Sequence, residues 1–163
     1  MHRLTRIAAV AAACVASAPV FAQTALTPDQ ARAVVAPFYE ALNAAPGKDA
    51  AALVAAATTP DFTSCSGNET CAPRERVMAN IAGFGKAIPN LKWEIREILV
   101  SGDRVIVRGE ASGTPAVAFM GVPHGGKSFR IMSIDVHTIR DGRIARAYHV
   151  EDWMGAARQL SAQ

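Results

Sequence analysis

The apolar residues of this chain change their spacing near Leu91, and that change constrains the fold more than any other feature. Between Thr27 and Pro89 they recur every three or four residues, as in helices that bury one face. From Leu91 onward they mostly alternate with polar residues, as in strands that bury one face. Helices therefore precede a run of strands, which is an order typical of an α+β fold.

Three helices are predicted in the first part of the chain. The first begins with Thr27 as N-cap, Pro28 at the first helical position and Gln30 closing a capping box. A short Ala-rich helix follows over residues 49–57, and a third helix covers residues 73–89. Each is bounded by turn or capping residues, so the boundaries follow from local sequence.

Five strands are predicted after the helices, with turn residues between them. We therefore expect a curved, mainly antiparallel sheet packed on three N-terminal helices around an apolar pocket. The predicted strands cover residues 91–100, a segment that begins at Val105, and residues 114–120, 128–139 and 144–152.

Residues 1–22 are predicted to be a secretory signal peptide. Arg3 and Arg6 form a basic start, residues 7–18 form an apolar run, and residues 20–22 (VFA) supply a small-x-small cleavage pattern. The alternative is an uncleaved anchor, which the small residues at the cleavage site disfavour. We expect a periplasmic or secreted protein whose single domain covers residues 23–163, with no membrane contact after cleavage.

The composition excludes two classes of protein. Half of the residues are hydrophobic, which excludes a disordered chain. The loss of Arg3 and Arg6 lowers the formal charge from +3 to +1, and no basic run remains. Nucleic acid is therefore not an expected partner.

Cys65 and Cys71 remain as an even pair after the leader, which carries Cys14. They flank a turn-rich stretch, residues 66–70, that can bring the two sulfurs together. In an oxidising compartment we expect a disulfide between them. The alternative is a pair of free thiols, while the spacing matches neither a redox nor a zinc motif.

Several short motifs give the chain a family resemblance. In order and spacing they resemble the SnoaL-like polyketide cyclases and the related predicted ester cyclases, which have the cone-shaped fold of the NTF2-like superfamily. The resemblance spans nearly all of residues 23–163. The motifs are residues 38–42 (FYEAL), 102–105 (GDRV), 119–123 (FMGVP), 139–144 (IRDGRI) and 159–160 (QL).

The resemblance implies a site for proton transfer that uses no metal and no organic cofactor. In the polyketide cyclases a histidine on the penultimate strand and an aspartate on the last strand serve this purpose. Alignment on the Asp141-Gly142 turn places these positions at Asp135 and His149, with the two residue types exchanged. A further family histidine falls at Pro115. The resemblance also implies a homodimer that pairs sheets back to back.

Whether Asp135 and His149 meet depends on the register of the last hairpin, because a slip of one residue turns a side chain to the other face. With a two-residue turn at residues 141–142, Asp135 faces Tyr148 and His149 lies on the opposite face. With a three-residue loop at residues 140–142, His149 becomes the diagonal neighbour of Asp135 at roughly 5–8 Å. The residues alone allow both registers, and the resemblance requires the second.

If both side chains enter the cavity, His149 is predicted to be the general acid/base, since imidazole titrates near neutral pH. Asp135 is predicted to orient it and to stabilise the imidazolium. The alternative is a structural pair beside a ligand pocket. His137 is predicted to be a rim or structural residue, and His124 is predicted to lie on an exposed loop. The spacing of His137, His149 and Asp135 matches no metal motif.

Other residues are candidates for binding a substrate. Apolar side chains of this kind are core residues by default, and the resemblance adds the positions in the last strand. The candidates are Tyr39, Trp93, Phe119, Met120, Tyr148 and Asp152.

Two functions are consistent with the sequence. One is an enzyme that cyclises, isomerises or hydrates a small, largely apolar carbonyl or ester compound by cofactor-free proton transfer. The other is a non-catalytic module that binds a small apolar ligand. The His–Asp pair favours the enzyme, whereas the exchanged positions and Pro115 favour the binding module.

Overall fold

The computed structural model of this protein describes residues 26–43, 45 and 47–162. The predicted signal peptide, residues 1–22, lies outside the described residues, as does Pro46 in the predicted end of the first helix. Within the described ranges, none of the helices has the length and hydropathy needed for crossing a membrane.

The three predicted N-terminal helices are confirmed, and a fourth closes the chain. Thr27 and Gln30 form the predicted capping box of α1, and Asp49 caps α2 by accepting a hydrogen bond from the backbone N–H of Ala52. The helices are α1 (Pro28–Leu42), α2 (Ala50–Ala57), α3 (Arg74–Ala87) and α4 (Trp153–Ser161).

Six strands form one sheet in the order β2-β1-β6-β5-β4-β3. All neighbouring pairs are antiparallel except β1 and β6, which run parallel. The predicted mainly antiparallel sheet is therefore confirmed. The strands are β1 (Thr58–Cys65), β2 (Cys71–Pro73), β3 (Lys92–Ser101), β4 (Arg104–Gly113), β5 (Phe129–Arg140) and β6 (Arg143–Glu151).

The predicted strand over residues 114–120 is wrong, because the segment between β4 and β5 is a loop. Pro115 and Pro123 have no backbone N–H to donate, which limits strand pairing here. Met120 and Gly121 take positive φ values of 52° and 76°, so the chain turns back at this point. A single bridge between Phe119 and Val122 is the remaining strand-like pairing of the loop.

The core lies between the helices and one face of the sheet. Along β5 every second side chain is buried, from Phe129 to Ile139, and this defines the inner face. Phe38 of α1 packs edge-on against Phe62 of β1 and His137 of β5. Asn43, at the end of α1, accepts a hydrogen bond from the backbone N–H of Trp93 at 2.5 Å. These contacts fix α1 across the sheet.

Cys65 and Cys71 form the disulfide that the sequence predicted. The bond joins the end of β1 to the start of β2, where the two residues are also a register pair. It closes the loop of residues 66–70, in which the Ser66 N–H donates to the carbonyl of Thr70 at 3.0 Å. The hairpin therefore has a fixed position at the edge of the sheet.

Candidate active site

A cavity of about 450 Å³ lies between the inner face of the sheet and helices α1 and α3. This volume falls in the range of pockets that bind small molecules, roughly 300–1,000 Å³. Most of its wall is apolar, with contributions from α1, α3, β3 and the start of α4. The large apolar side chains at the wall include Phe38, Leu42, Ile81, Phe84, Leu91, Trp93 and Trp153.

The polar part of the cavity wall comes mainly from β5 and β6. Asp135, His149 and Glu151 border the cavity from the two strands. Asn80 on α3 and hydroxyl groups near the disulfide border it elsewhere, as does Cys71 itself. The cavity therefore combines a largely apolar body with one cluster of ionisable groups.

The register of β5 and β6 brings Asp135 and His149 directly opposite each other. Both registers considered from the sequence are wrong in detail. The turn has two residues, Asp141 and Gly142, with φ values of 51° and 70°, as in the tight turns favoured by hairpins. The pairing then shifts by one between Thr138 and Ile139 of β5.

The shift leaves Ala145 of β6 as the extra residue of a bulge. Ile144 pairs with Ile139, and the next pair joins Arg146 to Thr138, so Ala145 has no partner on β5. One added residue reverses the face on which all following side chains lie. His149 therefore enters the cavity even though the turn is the short one.

The hydrogen-bond partner of His149 is Glu151, which lies two residues further along the same strand. The distance from His149 Nδ1 to Glu151 Oε1 is 2.7 Å. The second carboxylate oxygen, Oε2, accepts a hydrogen bond from Trp153 Nε1 at 3.1 Å. The bond to Glu151 raises the pKa of His149 above its ordinary value of 6.5, against the effect of partial burial.

Asp135 is held by α1 and by its own strand. The Tyr39 hydroxyl donates to Asp135 Oδ2 at 2.9 Å, and Ser133 Oγ lies 3.4 Å from the same oxygen. Burial raises the pKa of Asp135 to about 6, although the bond from Tyr39 acts in the opposite direction. The orienting role predicted for Asp135 thus falls geometrically to Glu151, while Asp135 lies across the strand pair from the imidazole.

His137 is fully buried in the core beneath the site, which agrees with the predicted structural role and excludes the rim position. Its Nε2 lies 3.0 Å from the Tyr39 hydroxyl. Because that hydroxyl donates its proton to Asp135, its oxygen accepts from His137 Nε2–H. Burial lowers the pKa of His137 to about 3, so the ring is neutral near physiological pH.

Tyr39 therefore connects the site to the core rather than lining the cavity. Burial, followed by the charge of Asp135, raises the pKa of Tyr39 far above its usual value, so the hydroxyl keeps its proton. The resulting chain runs from His137 Nε2–H to the Tyr39 oxygen and from the Tyr39 hydroxyl to Asp135.

The aromatic candidates lie at different depths. Trp93 borders the cavity, as predicted for a wall residue, with its ring edge-on to Trp153 at a centroid distance of 6.5 Å. Phe84 stacks on Trp153 at 5.6 Å. Phe119 contacts Trp153 and stacks on Phe129, so it supports the aromatic wall from behind and does not border the cavity.

Three other candidates lie outside the cavity. Met120 is 49% exposed on the turn of the loop between β4 and β5. Tyr148 pairs with Val136 on the outer face of the sheet, because the bulge at Ala145 directs His149 inward. Asp152 is the N-cap of α4 and accepts a hydrogen bond from the backbone N–H of Gly155 at 2.7 Å.

Glu151 and Trp153 are site residues that were not predicted from the sequence. The sequence signal for Glu151 was its position two residues after His149, because residues at positions i and i+2 of a strand lie on the same face. Trp153 opens α4, which the sequence analysis did not predict. Within the described residues, no group of three His, Cys, Asp or Glu side chains is arranged to hold a metal ion.

A family model for the SnoaL-like polyketide cyclases matches residues 33–160. The chain belongs to this family. The match includes most of α1, the whole sheet and most of α4, so the cavity and all three ionisable side chains of this SnoaL-like protein lie within it. No protein of curated function matches the chain.

Solved structures of similar fold agree with this family. TsrD from Streptomyces laurentii is 23% identical, covering 85% of this chain and 99% of its own, with a TM-score of 0.71. IdmH from Streptomyces antibioticus, described as a candidate polyketide cyclase, is 26% identical with a TM-score of 0.71 and covers 82% and 99%. AclR from Streptomyces galilaeus, described as a candidate hydroxylase, is 19% identical with a TM-score of 0.67 and covers 84% of each chain. These likenesses confirm the predicted cone-shaped fold.

Replacement of Tyr39 tests the connection between the site and the core. Tyr39→Phe removes the donor to Asp135 and the acceptor for His137, so we expect the free energy of unfolding to fall by about 1–3 kcal/mol. Urea denaturation at neutral pH measures the change. The matched control is Tyr148→Phe, whose hydroxyl makes no hydrogen bond among the described residues, and we expect its effect to stay within about 0.5 kcal/mol. Equal effects of the two variants would contradict the assignment.

Proposed function

We propose that this SnoaL-like protein catalyses cofactor-free proton transfer on a small, largely apolar carbonyl or ester compound, in a cyclisation, isomerisation or hydration. The observation that carries the proposal is His149 at the polar side of a largely apolar cavity, with its Nδ1 hydrogen-bonded to Glu151 at 2.7 Å. A histidine in such a position suits general acid/base catalysis because an unperturbed imidazole titrates near neutral pH.

Glu151 sets the tautomer of His149. The carboxylate accepts a hydrogen bond from Nδ1–H, so the lone pair of a neutral imidazole lies on Nε2. Among the described residues no hydrogen bond reaches Nε2. That nitrogen is therefore the atom that we assign to proton transfer.

The proposed step begins with a C–H bond next to the substrate carbonyl. Nε2 takes the proton, the electron pair of the C–H bond moves to form an enolate, and His149 becomes an imidazolium. The negative charges of Glu151 and Asp135 stabilise that imidazolium, since both raise the pKa of His149. In an isomerisation the imidazolium returns the proton to another carbon of the substrate. In a cyclisation the enolate carbon bonds to a second carbonyl carbon of the substrate, and the resulting alkoxide takes the proton. A hydration consumes one water molecule in addition.

The structural relatives support the class of compound but leave the reaction open. IdmH is described as a candidate polyketide cyclase and AclR as a candidate hydroxylase. Proteins with this one fold are therefore described with different activities. The reaction has to be argued from the side chains of each cavity. In this chain those side chains are His149, Glu151 and Asp135.

Hydrogen–deuterium exchange of a model ketone tests the role of His149 without knowledge of the natural substrate. The probe is α-tetralone in D₂O, with loss of its α-proton followed by NMR. We expect the protein to accelerate exchange, and His149→Ala to slow the accelerated rate on the order of a hundredfold, which is a typical contribution of a general base.

The matched control for this experiment is His124→Ala. His124 lies on the exposed loop between β4 and β5, with Nδ1 2.8 Å from the carbonyl oxygen of Pro115. We expect this variant to keep the exchange rate. A His149→Ala variant that retains the full rate would contradict the assignment, and binding of the ketone without any exchange would favour the non-catalytic binding module.

The pH dependence of the same exchange tests the role of Glu151. His149 accepts a proton only when it is neutral, so the rate rises as pH increases through its pKa, which lies above 6.5. Glu151→Gln keeps a hydrogen-bond acceptor but removes the charge, so the midpoint of the profile should shift to lower pH and the maximal rate should fall. The control is Glu97→Gln on the outer face of β3. An unchanged midpoint in Glu151→Gln would contradict the role.

We propose, in addition, that the protein is exported and forms a homodimer. Export is supported by the leader-like residues 1–22 and by the Cys65–Cys71 disulfide. Dimerisation is supported by an apolar row on the outer face of the sheet, in which Leu99, Ile106, Val136 and Tyr148 are consecutive register partners. Leu99 is 58% exposed, and Met132 and Val150 on the same sheet are 55% and 62% exposed.

Native mass spectrometry of protein from the periplasm of a Gram-negative expression host tests both proposals in one measurement. We expect the mass of two chains that start at Gln23, each lacking the two thiol hydrogens. A mass that includes residues 1–22 would contradict cleavage of the leader. A monomer at micromolar concentration would contradict the dimer.

A further inference from the structure

The cavity contains negative charge that no basic side chain balances. Among the described residues that border it, the ionisable groups are Asp135, His149 and Glu151, and none is a lysine or arginine. The two oxygens of Glu151 are engaged by His149 and Trp153 through hydrogen bonds. Asp135 therefore remains as a carboxylate without a cation in contact.

The carboxylate of Asp135 is also only half satisfied. Tyr39 and Ser133 both approach Oδ2, and no hydrogen bond from any described residue reaches Oδ1. The residue is 6% exposed, and it borders the cavity. Oδ1 is not fully buried, so a ligand in the cavity can meet it. An apolar ligand group placed against Oδ1 would leave this acceptor unpaired at a cost, whereas a donor would satisfy it.

We propose that the cavity selects apolar molecules whose head group donates a hydrogen bond to Asp135 Oδ1, binds an ammonium group most tightly and rejects a carboxylate. This proposal rests on the proposed use of the cavity as the substrate site, but it does not depend on His149 acting as a base. It makes Asp135 the residue that determines specificity for the head group.

The rest of the cavity fits such a ligand. The indole rings of Trp93 and Trp153 border it, and the faces of aromatic rings attract cations. A ligand carboxylate would instead meet Asp135 and Glu151 in an apolar surrounding, where repulsion between like charges is strong. A neutral hydroxyl donates to Oδ1 but does not balance the charge of Asp135. We therefore expect an alcohol to bind with an affinity between those of the ammonium and the carboxylate.

Three probes with the same ring system test the order of affinities: naphthylethylamine, naphthylethanol and naphthylacetate. Isothermal titration calorimetry at neutral pH measures their binding to the unmodified protein. We expect the amine to bind about tenfold or more tightly than the alcohol, and the acetate to bind most weakly. Naphthylacetate binding as tightly as the amine would overturn the proposal, and so would binding of none of the three.

Substitution of Asp135 tests the assigned residue. Asp135→Asn should reduce the affinity for naphthylethylamine by about tenfold or more and leave the affinity for naphthylethanol much less changed. The matched control is Asp141→Asn, in the exposed β5–β6 turn, which should bind like the unmodified protein. An Asp135→Asn protein that folds and keeps the full preference for the amine would overturn the proposal.

A pH series on the unmodified protein tests the same point without a substitution. The charged or titratable groups around Asp135 are Tyr39 of α1, His137 of β5, and His149 and Glu151 of β6, while β4 presents Val107 as its register partner. Burial raises the pKa of Asp135 to about 6. As pH falls through this value the carboxylate becomes neutral, and His149 is protonated as well, so affinity for the amine should fall and affinity for the alcohol should change little.

These measurements distinguish the failure of this proposal from the failure of the proposed function. If the unmodified protein does not accelerate exchange of the ketone but clearly prefers the amine, the catalytic role is contradicted and the head-group selectivity is supported. If exchange depends on His149 but the amine and the acetate bind with equal affinity, the catalytic role is supported and the head-group selectivity is contradicted.

Discussion

The single unpaired residue in β6, Ala145, determines which side chains reach the cavity. Without it, the two-residue turn at Asp141 and Gly142 would pair Asp135 with Tyr148 and direct His149 to the outer face. With it, Ala147, His149 and Glu151 all face inward. The entry of His149 and Glu151 into the cavity beside Asp135 and the position of Tyr148 in the apolar outer row both follow from this one bulge.

The buried chain of hydrogen bonds through Tyr39 connects the packing of the fold to the candidate site. Tyr39 belongs to α1, whereas Asp135 and His137 belong to β5, so the hydroxyl connects the helix layer with the sheet directly beneath the cavity. His137 is kept neutral by burial, and Asp135 is kept partly satisfied by Tyr39. A core histidine and a cavity carboxylate therefore share one tyrosine, which makes the stability of the fold and the state of the site interdependent.

Local signals in the sequence predicted much of this structure, whereas strand β1 and the register of the last hairpin depend on non-local contacts and were not predicted correctly. The capping box at Thr27 and the alternation in β5 identify elements because neighbouring residues alone determine them. Strand β1 contains Pro60 and pairs in parallel with β6, so its formation depends on a distant segment. The position of the bulge likewise depends on packing of Ile144 and Ala147 in the core, which no short window of sequence contains.

The exchange of residue types that the resemblance implies, with Asp135 on β5 and His149 on β6, has a physical meaning in this chain. The position on β5 lies beside Tyr39 and above His137, where burial favours neutral groups. A histidine there would lose its charge easily, as His137 does. The position on β6 is less buried and lies two residues from Glu151, whose charge favours a protonated imidazole. The pKa of His149 on β6 is therefore raised where that of His137 on β5 is lowered. Asp135 on β5 borders the cavity and keeps its second oxygen free of hydrogen bonds from the described residues.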